Sequence, residues 1–372
     1  MTNLNEIPVV FANQFPSDFI NDVNGWNFTQ KELHDNKGKI LTLDIDLGNT
    51  CSLNCPHCFR RTAVLDKVQR KMTFEETKAL IIEAKKLGLR SVKFLGAGEP
   101  FENVRFVEFL RFLKSQEIIP IIFTKGHVIG DDKLAARYNH HYGINSGVEL
   151  VEELNRVNAS ITLGFNSFDT KIQEKMVGEI SGYVEKRDLA LTRLVKGGLN
   201  QSNPTRICIG SNPVTLENYD EILSIYKWGM ERNLYVLVTP TMVGGRACDW
   251  KNITPTKEKI IDLYTKIYKF NLERGIQTIK QLEVEGISAY AGVRPCNQIA
   301  CGMYVTLSGK ILRCPGNDTT ILGNIFEKTL EEIWVKSENF KRAGTFNCGC
   351  PPKIGKSIPS SLFKEVLKRV KG

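Results

Sequence analysis

The fold of this chain is decided by residues 40–58, which read ILTLDIDLGNTCSLNCPHC. Apolar and polar residues alternate over residues 40–47, and this period of two is typical of a β-strand. A glycine ends the pattern, and Cys51, Cys55 and Cys58 follow within the next ten residues. In parallel α/β sheets, ligands bind at the carboxyl ends of the strands. The segment therefore predicts a first strand with a ligand site at its carboxyl end.

Further short β-rich runs follow this strand, and amphipathic helical stretches separate them. Their predicted ranges are residues 91–95, 118–123, 160–165, 206–210 and 235–239. The best-marked helix covers residues 73–87, where Thr73 and Glu76 form a capping box and a glycine follows the last turn. Strands separated by helices at this spacing indicate a parallel sheet. Six strands are too few for an eight-unit barrel, so the sequence predicts an α/β fold with an open, partial (β/α)6 TIM-like barrel.

The rest of the chain differs in pattern from the predicted barrel. We expect the boundaries to fall as an N-terminal extension (1–40), the partial barrel (41–250), a linking helix (251–284), a small cysteine-rich domain (285–355) and a basic C-terminal tail (356–372). Within the cysteine-rich part, residues 303–314 read MYVTLSGKILRC. Two apolar runs around a Ser-Gly pair predict a β-hairpin there.

Composition narrows the class of protein. The chain has 372 residues, of which 42% are apolar and 24% charged, which is ordinary for a globular protein. It contains no apolar run of membrane-spanning length and no secretory signal pattern at its N-terminus, so we expect a cytoplasmic protein without a membrane partner. The net charge of +9 comes from scattered basic residues and one C-terminal group that reads as a solvated helix face. Nucleic acid is therefore an unlikely partner.

Cysteine use points to metal chemistry. In a reducing compartment, clustered cysteines bind metals more often than they form disulfides. Eight of the ten cysteines fall into two groups, and Cys208 and Cys248 stand alone as expected core residues. In the first group, Cys51, Cys55 and Cys58 could wrap one face of an iron–sulfur cube and leave one iron without a protein ligand. Two alternatives are a zinc site with His57, although His57 and Cys58 are adjacent and hard to place on one tetrahedral ion, and three structural thiols.

The Cys-x3-Cys-x2-Cys pattern after the first strand resembles the signature of the radical S-adenosylmethionine (SAM) superfamily. The resemblance implies that the open iron of a [4Fe–4S] cluster on Cys51, Cys55 and Cys58 chelates the amino and carboxylate groups of SAM. One electron then cleaves SAM to a 5′-deoxyadenosyl radical, which abstracts hydrogen from a substrate. An external reductant such as ferredoxin or flavodoxin is implied as the electron donor. The sequence assigns no catalytic residue beyond these cofactor sites.

Further segments resemble other motifs of this family in the same order. His57 occupies a position near the adenine, and the segment FLGAGEP (94–100) resembles the motif after the second strand. By this resemblance Gly98 lets the backbone approach the methionine part of SAM, and Glu99 accepts from its ammonium group. Segments 122–126 (IFTKG) and 240–247 (PTMVGGRA) resemble the ends of the third and sixth strands.

The same resemblance suggests how the rest of SAM is held. Residues 163–169, LGFNSFD, resemble the fourth-strand segment, which makes Asn166 and Ser167 candidates for the ribose hydroxyls. Arg187 falls about where the family often places an arginine for the SAM carboxylate. As an alternative, Arg187 is a residue on the surface of a helix.

The second cysteine group resembles the SPASM and twitch domains, which hold auxiliary clusters in radical SAM enzymes. The resemblance rests on the spacing Cys296-x12-Gly-x4-Cys314, with Cys348 and Cys350 supplying the remaining thiolates. Five cysteines allow one auxiliary [4Fe–4S] cluster, as in the twitch form, and Cys301 is either a ligand replacing Cys350 or a spare thiol. A zinc ribbon is the alternative reading of paired cysteines beside a hairpin.

Three functions remain open from the sequence. The first is a radical SAM enzyme, with two [4Fe–4S] clusters and SAM, that oxidises, crosslinks or rearranges a peptide or protein side chain. The second is a radical SAM dehydrogenase or synthase acting on a small molecule such as a sugar, an alcohol or a cofactor precursor. The third is a non-catalytic metal-binding protein.

Overall fold

The computed structural model describes residues 4–60, 70–316, 320–346 and 349–372. Its centre is a nine-stranded, mostly parallel sheet, and all six strands predicted for the barrel are confirmed with ends shifted by a few residues. The strands are β1 (Thr42–Ile45), β2 (Ser91–Phe94), β3 (Ile119–Thr124), β4 (Ser160–Gly164), β5 (Ile207–Val214), β6 (Tyr235–Pro240), β7 (Gly302–Val305), β8 (Lys310–Leu312) and β9 (Ile321–Asn324).

Helices connect the strands and cover the outer face of the sheet. In the described residues they are α1 (Gln30–Asp35), α2 (Phe74–Lys86), α3 (Phe106–Ser115), α4 (Asp132–Asn139), α5 (Gly147–Arg156), α6 (Thr170–Lys175), α7 (Tyr183–Lys196), α8 (Tyr219–Met230), α9 (Lys257–Glu273), α10 (Ile279–Glu285), α11 (Gln298–Cys301), α12 (Leu330–Lys336), α13 (Glu338–Lys341) and α14 (Leu362–Lys371). The predicted capping box at the start of α2 is present, with Thr73 and Glu76 each bonding the other's backbone.

The strand order is β6-β5-β4-β3-β2-β1-β7-β8-β9. Strands β1 to β6 are parallel neighbours in chain order, as expected of a partial (β/α)6 barrel. The predicted hairpin is also confirmed, since β7 and β8 pair antiparallel. The sequence did not predict that β7 pairs parallel with β1, with Thr42 opposite Gly302. The cysteine-rich part therefore extends the barrel sheet, and our division of the chain into five segments stays a prediction.

Alternation along the strands separates a packed outer face from a cavity inside. In β1, Leu43 and Ile45 belong to the core beneath the helices, whereas Asp44 lines the cavity. The inward residues of β4 and β5 are small or polar, among them Gly164 and Gly210. Side chains of this size cannot fill a barrel interior, so they leave space inside it.

The N-terminal extension closes the floor of the barrel. Val23 bridges to Thr205 beside β5, and the Ser160 hydroxyl of β4 donates to the carbonyl of Asn24 at 2.9 Å. The backbone then turns through Gly25 at φ +82°, where a Cβ atom would lie 2.9 Å from a side-chain carbon of Ile119. The turn places the next residue, Trp26, in the cavity wall.

The C-terminal part covers the other edge of the barrel at β6. The amide of Ala291 donates to the carbonyl of Val238, and the Ser357 hydroxyl donates to the carbonyl of Thr241. The basic C-terminal tail forms α14 against α9, where Arg369 pairs with Glu258, so part of its charge is neutralised within the chain. No helix in the described ranges is long and apolar enough to cross a membrane.

Candidate functional site

One cavity joins the barrel interior to the C-terminal part, and it encloses about 1550 Å³ including its open mouth. Both cysteine groups contribute to its wall. Its cysteines are Cys51, Cys55, Cys58, Cys296, Cys314 and Cys350. The structure thus brings together residues that lie up to about 300 positions apart in the chain, while Cys348 lies outside the described residues.

The loop that carries the first three thiols is held by the segment after β2. A Cβ atom at Gly98 would lie 2.3 Å from the carbonyl oxygen of Thr50, and the amide of Glu99 donates to that same oxygen at 2.8 Å. Glycine is therefore required where the two loops touch. The sequence explained Gly98 by its approach to SAM, whereas the structure gives it a second reason in the packing of this loop, although it also lines the cavity.

A buried carboxylate anchors the same loop from below. Glu102 accepts from the amide and hydroxyl of Ser52 at 2.9 and 2.5 Å, and its Oε1 lies 2.8 Å from Nε2 of His127. Burial by itself raises the pKa of Glu102, but the hydrogen bonds from His127 and Ser52 outweigh it and bring that pKa below its ordinary value. Sequence reasoning missed this network, although Glu102 lies only three residues after Glu99.

The loop after β6 also contacts the thiol loop. Gly245 adopts φ +54°, and a Cβ atom there would lie 2.5 Å from the carbonyl oxygens of Cys58 and Phe59. The next residue, Arg246, donates from its amide to the carbonyl of Cys58 at 3.0 Å and from its guanidinium to the side chain of Asn54. The segment PTMVGGRA, which the sequence placed at the end of the sixth strand, thus positions the thiol loop.

Glu99 and His57 both line the cavity near the first thiols. The buried carboxylate of Glu99 accepts from the Thr124 hydroxyl at 2.6 Å and from the amide of Lys125 at 2.9 Å. Burial raises the pKa of Glu99. Burial and the charge of Lys125 lower the pKa of His57 to about 3, so this imidazole is neutral at ordinary pH. A carboxylate and a flat neutral ring therefore face the space above the thiols.

The residues predicted for the SAM ribose and carboxylate lie elsewhere. Asn166, Ser167 and Arg187 are fully buried, and none of them lines the cavity. The Arg187 guanidinium donates to the Ser167 carbonyl and to Gln173, both at 2.8 Å, and pairs with the carboxylate of Asp188 at 2.7 Å.

Arg187 is thus an internal tie between α7 and the loop after β4, and the alternative reading of a surface residue is wrong because it is 0% exposed. A contact of Asn166, Ser167 or Arg187 with SAM stays a prediction. Polar residues that do line the cavity on or just after β3, β4 and β5 include Thr124, Lys125, Thr162 and Asn212.

Burial governs the second group of thiols. It raises the pKa values of Cys296 and Cys314, and it raises that of Cys350 to about 11. Thiols with raised pKa values remain protonated unless a metal displaces the proton. The donor set fits a thiolate-bound cluster, whereas the described residues contain no group of three His, Cys, Asp or Glu side chains that could hold one metal ion. A cubane does not need such a group, since each thiolate binds a different iron.

Cys301 is turned away from this cavity. Its Sγ donates to the carbonyl of Asn297 at 3.3 Å, and its side chain packs with Phe28, Leu33 and Leu41. Of the two readings left open by the sequence, the spare thiol fits this placement. Which four thiolates bind an auxiliary cluster stays a prediction.

Lys353 ties the loop after Cys350 to the barrel, and no motif in the sequence indicated this role. Its ammonium is 1% exposed and donates to the Thr239 hydroxyl at 2.6 Å and to the Pro240 carbonyl at 3.0 Å. It also lies 4.8 Å from the ring centre of Tyr290. These contacts fix the position of the second thiol group relative to β6.

Two family models match this chain. The model of the radical SAM superfamily matches residues 45–229. The model of an iron–sulfur cluster-binding domain, the SPASM domain, matches residues 296–354. A comparison with curated protein sequences finds no match.

Several solved structures share this fold. SuiB of Streptococcus suis bound to precursor peptide SuiA is 17% identical, with a TM-score of 0.55, and the match covers 90% of this chain and 78% of SuiB. The protein anSMEcpe with bound AdoMet is 14% identical, with a TM-score of 0.60, and the match covers 89% of this chain and 96% of that protein. Native anSMEcpe with AdoMet and the Cp18Cys peptide is 14% identical, with a TM-score of 0.58 and coverages of 89% and 97%. At these identities the likeness shows the fold alone.

Proposed function

Because this chain belongs to the radical SAM superfamily and carries a C-terminal SPASM domain, we propose that it oxidises, crosslinks or rearranges a side chain of a peptide or protein. The observation that carries this proposal is the single cavity lined by both cysteine groups. A substrate in that cavity meets the site of hydrogen abstraction and the auxiliary cluster together. SuiB and anSMEcpe, which share the fold, have been solved with peptides bound.

The cofactors of such an enzyme are SAM and two [4Fe–4S] clusters. When bound and reduced, the first cluster supplies reductive cleavage of SAM and hence a 5′-deoxyadenosyl radical that removes a substrate hydrogen. We assign Cys51, Cys55 and Cys58 to that cluster because they line the cavity on one loop. Its electron comes from an external donor such as ferredoxin or flavodoxin.

The surrounding residues hold SAM and the loop in place. Glu99 is already held by Thr124 and Lys125 and would accept from the SAM ammonium, and neutral His57 would lie against the adenine. Glu102 and Arg246 keep the thiol loop in one position. This arrangement fixes the geometry of the reaction before substrate arrives, which is what positioned groups contribute to catalysis.

The second cysteine group would hold the auxiliary cluster at the same cavity. We assign it to Cys296, Cys314 and Cys350 together with Cys348, and we leave Cys301 out because its thiol is bonded to Asn297. Oxidation of a substrate radical requires an acceptor for one electron. A cluster on these residues would lie beside the substrate, which makes this domain part of the active site.

A small-molecule substrate is the second candidate function. The N-terminal extension closes the barrel floor with Trp26, so the substrate must enter from the mouth and fit a closed chamber. A closed chamber suits a sugar, an alcohol or a cofactor precursor as well as one side chain of a peptide. The two candidates differ in whether material outside the chamber contributes to binding.

The first experiment is iron and sulfide analysis with EPR on anaerobically reconstituted protein. We expect about eight irons per chain in the wild type and about four in the Cys51/Cys55/Cys58→Ala variant, because each [4Fe–4S] cluster holds four irons. We also expect a SAM-dependent EPR change and 5′-deoxyadenosine formation in the wild type alone. Cys248, which we expected in the core, is exposed in the structure and provides a control, since Cys248→Ala should keep all the iron. Zinc in place of iron, or an EPR signal indifferent to SAM, would contradict the proposal.

A further inference from the structure

Two side chains of opposite charge type, on neighbouring strands, form part of the cavity floor. Asp44 on β1 and Lys93 on β2 are opposite each other in the parallel register, and both line the cavity. Each is at most 3% exposed. Fully buried charges are rare unless they are paired or bind a ligand. Because both residues are on strands of the sheet, the positions of these two polar groups at the floor are fixed.

Asp44 and Lys93 do not pair with each other. No ion pair within 4.0 Å joins them in the described structure, and the Oδ1 atom of Asp44 is buried without a hydrogen-bond partner. An acceptor buried without a partner is unfavourable unless a bound group donates a hydrogen bond to it. Asp44 therefore lines the cavity with acceptor capacity that no described residue uses.

Lys93, in contrast, is held in place by two contacts and keeps an unused donor hydrogen. Its Nζ donates to Gln298 Oε1 at 2.8 Å and lies 4.6 Å from the ring centre of Trp26. An ammonium has three donor hydrogens, so these contacts leave one for the cavity. The floor thus offers one open acceptor and one donor side by side.

Apolar side chains border this polar pair. Trp26 and Phe123 lie with ring centres 5.5 Å apart, and Leu237 and Tyr290 complete the same cluster beside the cavity. The Asp44 acceptor and the Lys93 donor are on neighbouring strands in register, so one bound group can meet both. The group that matches is neutral, and it both donates and accepts hydrogen bonds.

We propose that Asp44 and Lys93 form a substrate subsite that receives a hydroxyl or a primary carboxamide, with its O–H or N–H donated to Asp44 and its oxygen accepting from Lys93. This inference rests on the proposed function and specifies its substrate class. The modified side chain then carries such a group, as serine, threonine, asparagine and glutamine do. The subsite orients that side chain below the site of hydrogen abstraction.

The test uses the anaerobic holoenzyme and defined probes. The probes are acetyl-Gly-Xaa-Gly-amide peptides at high concentration, with deuterium on the side-chain carbons of Xaa, where Xaa is serine, threonine, asparagine, glutamine, alanine or leucine. Deuterium in 5′-deoxyadenosine reports which side chains reach the radical. We expect transfer from the hydroxyl and carboxamide peptides, and little from alanine or leucine.

Variants separate a binding role from a structural one. Asp44→Asn and Lys93→Gln should each lower deuterium transfer by roughly 10- to 100-fold, the worth of a hydrogen bond to a charged group, and should keep iron content and probe-free 5′-deoxyadenosine formation. Asp22→Asn is the matched control, because Asp22 is a buried carboxylate of the same floor that does not line the cavity. It should transfer deuterium like the wild type.

The remaining outcomes are also decisive. Equal transfer from leucine and serine peptides, no transfer from any probe, or full transfer in both Asp44→Asn and Lys93→Gln would overturn the subsite while 5′-deoxyadenosine still forms. Absence of 5′-deoxyadenosine from the wild type would instead overturn the proposed function. Loss of iron in both variants, with Asp22→Asn intact, would show a structural role and overturn the subsite as well.

Discussion

Replacing Gly98 with alanine tests whether the thiol loop depends on its contact with the segment after β2. The added Cβ atom would lie 2.3 Å from the Thr50 carbonyl oxygen. Ordinary carbon–oxygen contacts are about 3.3 Å or longer, so the loop must retreat by about 1 Å. That shift breaks the 2.8 Å hydrogen bond from the Glu99 amide to the same oxygen. Overpacking costs about 1–3 kcal/mol and the lost hydrogen bond about 1 kcal/mol. We therefore expect the free energy of unfolding to fall by about 2–4 kcal/mol.

The assay is urea unfolding of the iron-free, reduced protein without SAM. In this form no cofactor contributes to stability, so the loss reports the packing of the two loops alone. Gly48→Ala is the matched control, since a Cβ atom there would meet only the Asn103 side chain at 3.4 Å, an ordinary contact. Reconstituted Gly98→Ala should also retain less iron at the first cluster.

Unchanged stability of iron-free Gly98→Ala would refute this reasoning. If that variant unfolded like the wild type but bound SAM weakly, Gly98 would serve the cofactor alone, as the sequence suggested. Equal destabilisation by Gly48→Ala would show that the loop tolerates no substitution, and the contact with Thr50 would then have no special part.

Three further predictions concern other buried groups. Cys301→Ala should keep about eight irons per chain by iron analysis, whereas loss of four irons would make Cys301 a ligand. Burial raises the pKa of Asp22 from 3.8 to about 7, so the folded state holds a proton that the unfolded state releases, and stability falls as pH rises from about 4 to 7 by up to about 4 kcal/mol. Burial raises the pKa of Asp44 to about 7 as well, so Asp22→Asn should make the fall shallower in urea unfolding measured from pH 4 to 8, and parallel curves for variant and wild type would contradict it. Lys353→Met leaves the Thr239 hydroxyl and the Pro240 carbonyl without their donor. We therefore expect the free energy of unfolding to fall by about 1–3 kcal/mol and the auxiliary cluster to be less occupied by EPR. A fully occupied cluster would argue against the structural role of Lys353.

The six barrel strands could be predicted because each lies in a short β-rich run, and the two faces of a strand differ in polarity. In β1 the outward residues Leu43 and Ile45 are apolar and the inward Asp44 is polar, which gives the period of two. No sequence pattern indicated that β7 pairs parallel with β1. Strand pairing between distant segments depends on the three-dimensional path of the chain, and alternation within β7 fits either a separate hairpin or an extended sheet.

The candidate site divides in the same way. Cysteine spacing located Cys51, Cys55 and Cys58 because one loop carries all three ligands. Arg187 was assigned by its position in the chain, but the direction of its side chain depends on how α7 packs, and there its guanidinium meets Asp188. Lys353 could not be predicted, since its hydrogen-bond partners on β6 lie more than 110 residues earlier.

The pairing of β1 with β7 has a consequence for how the chain folds. Thr42 pairs with Gly302, which lies about 260 residues later in the chain. One edge of β1 therefore has no partner until most of the chain has been synthesised. Contacts of such long sequence separation slow folding, and an exposed strand edge can pair with a neighbouring chain. In the folded chain the C-terminal hairpin covers this edge of β1. A fragment that stops at residue 250 would present this bare edge, and we expect it to associate through β1 instead of remaining monomeric.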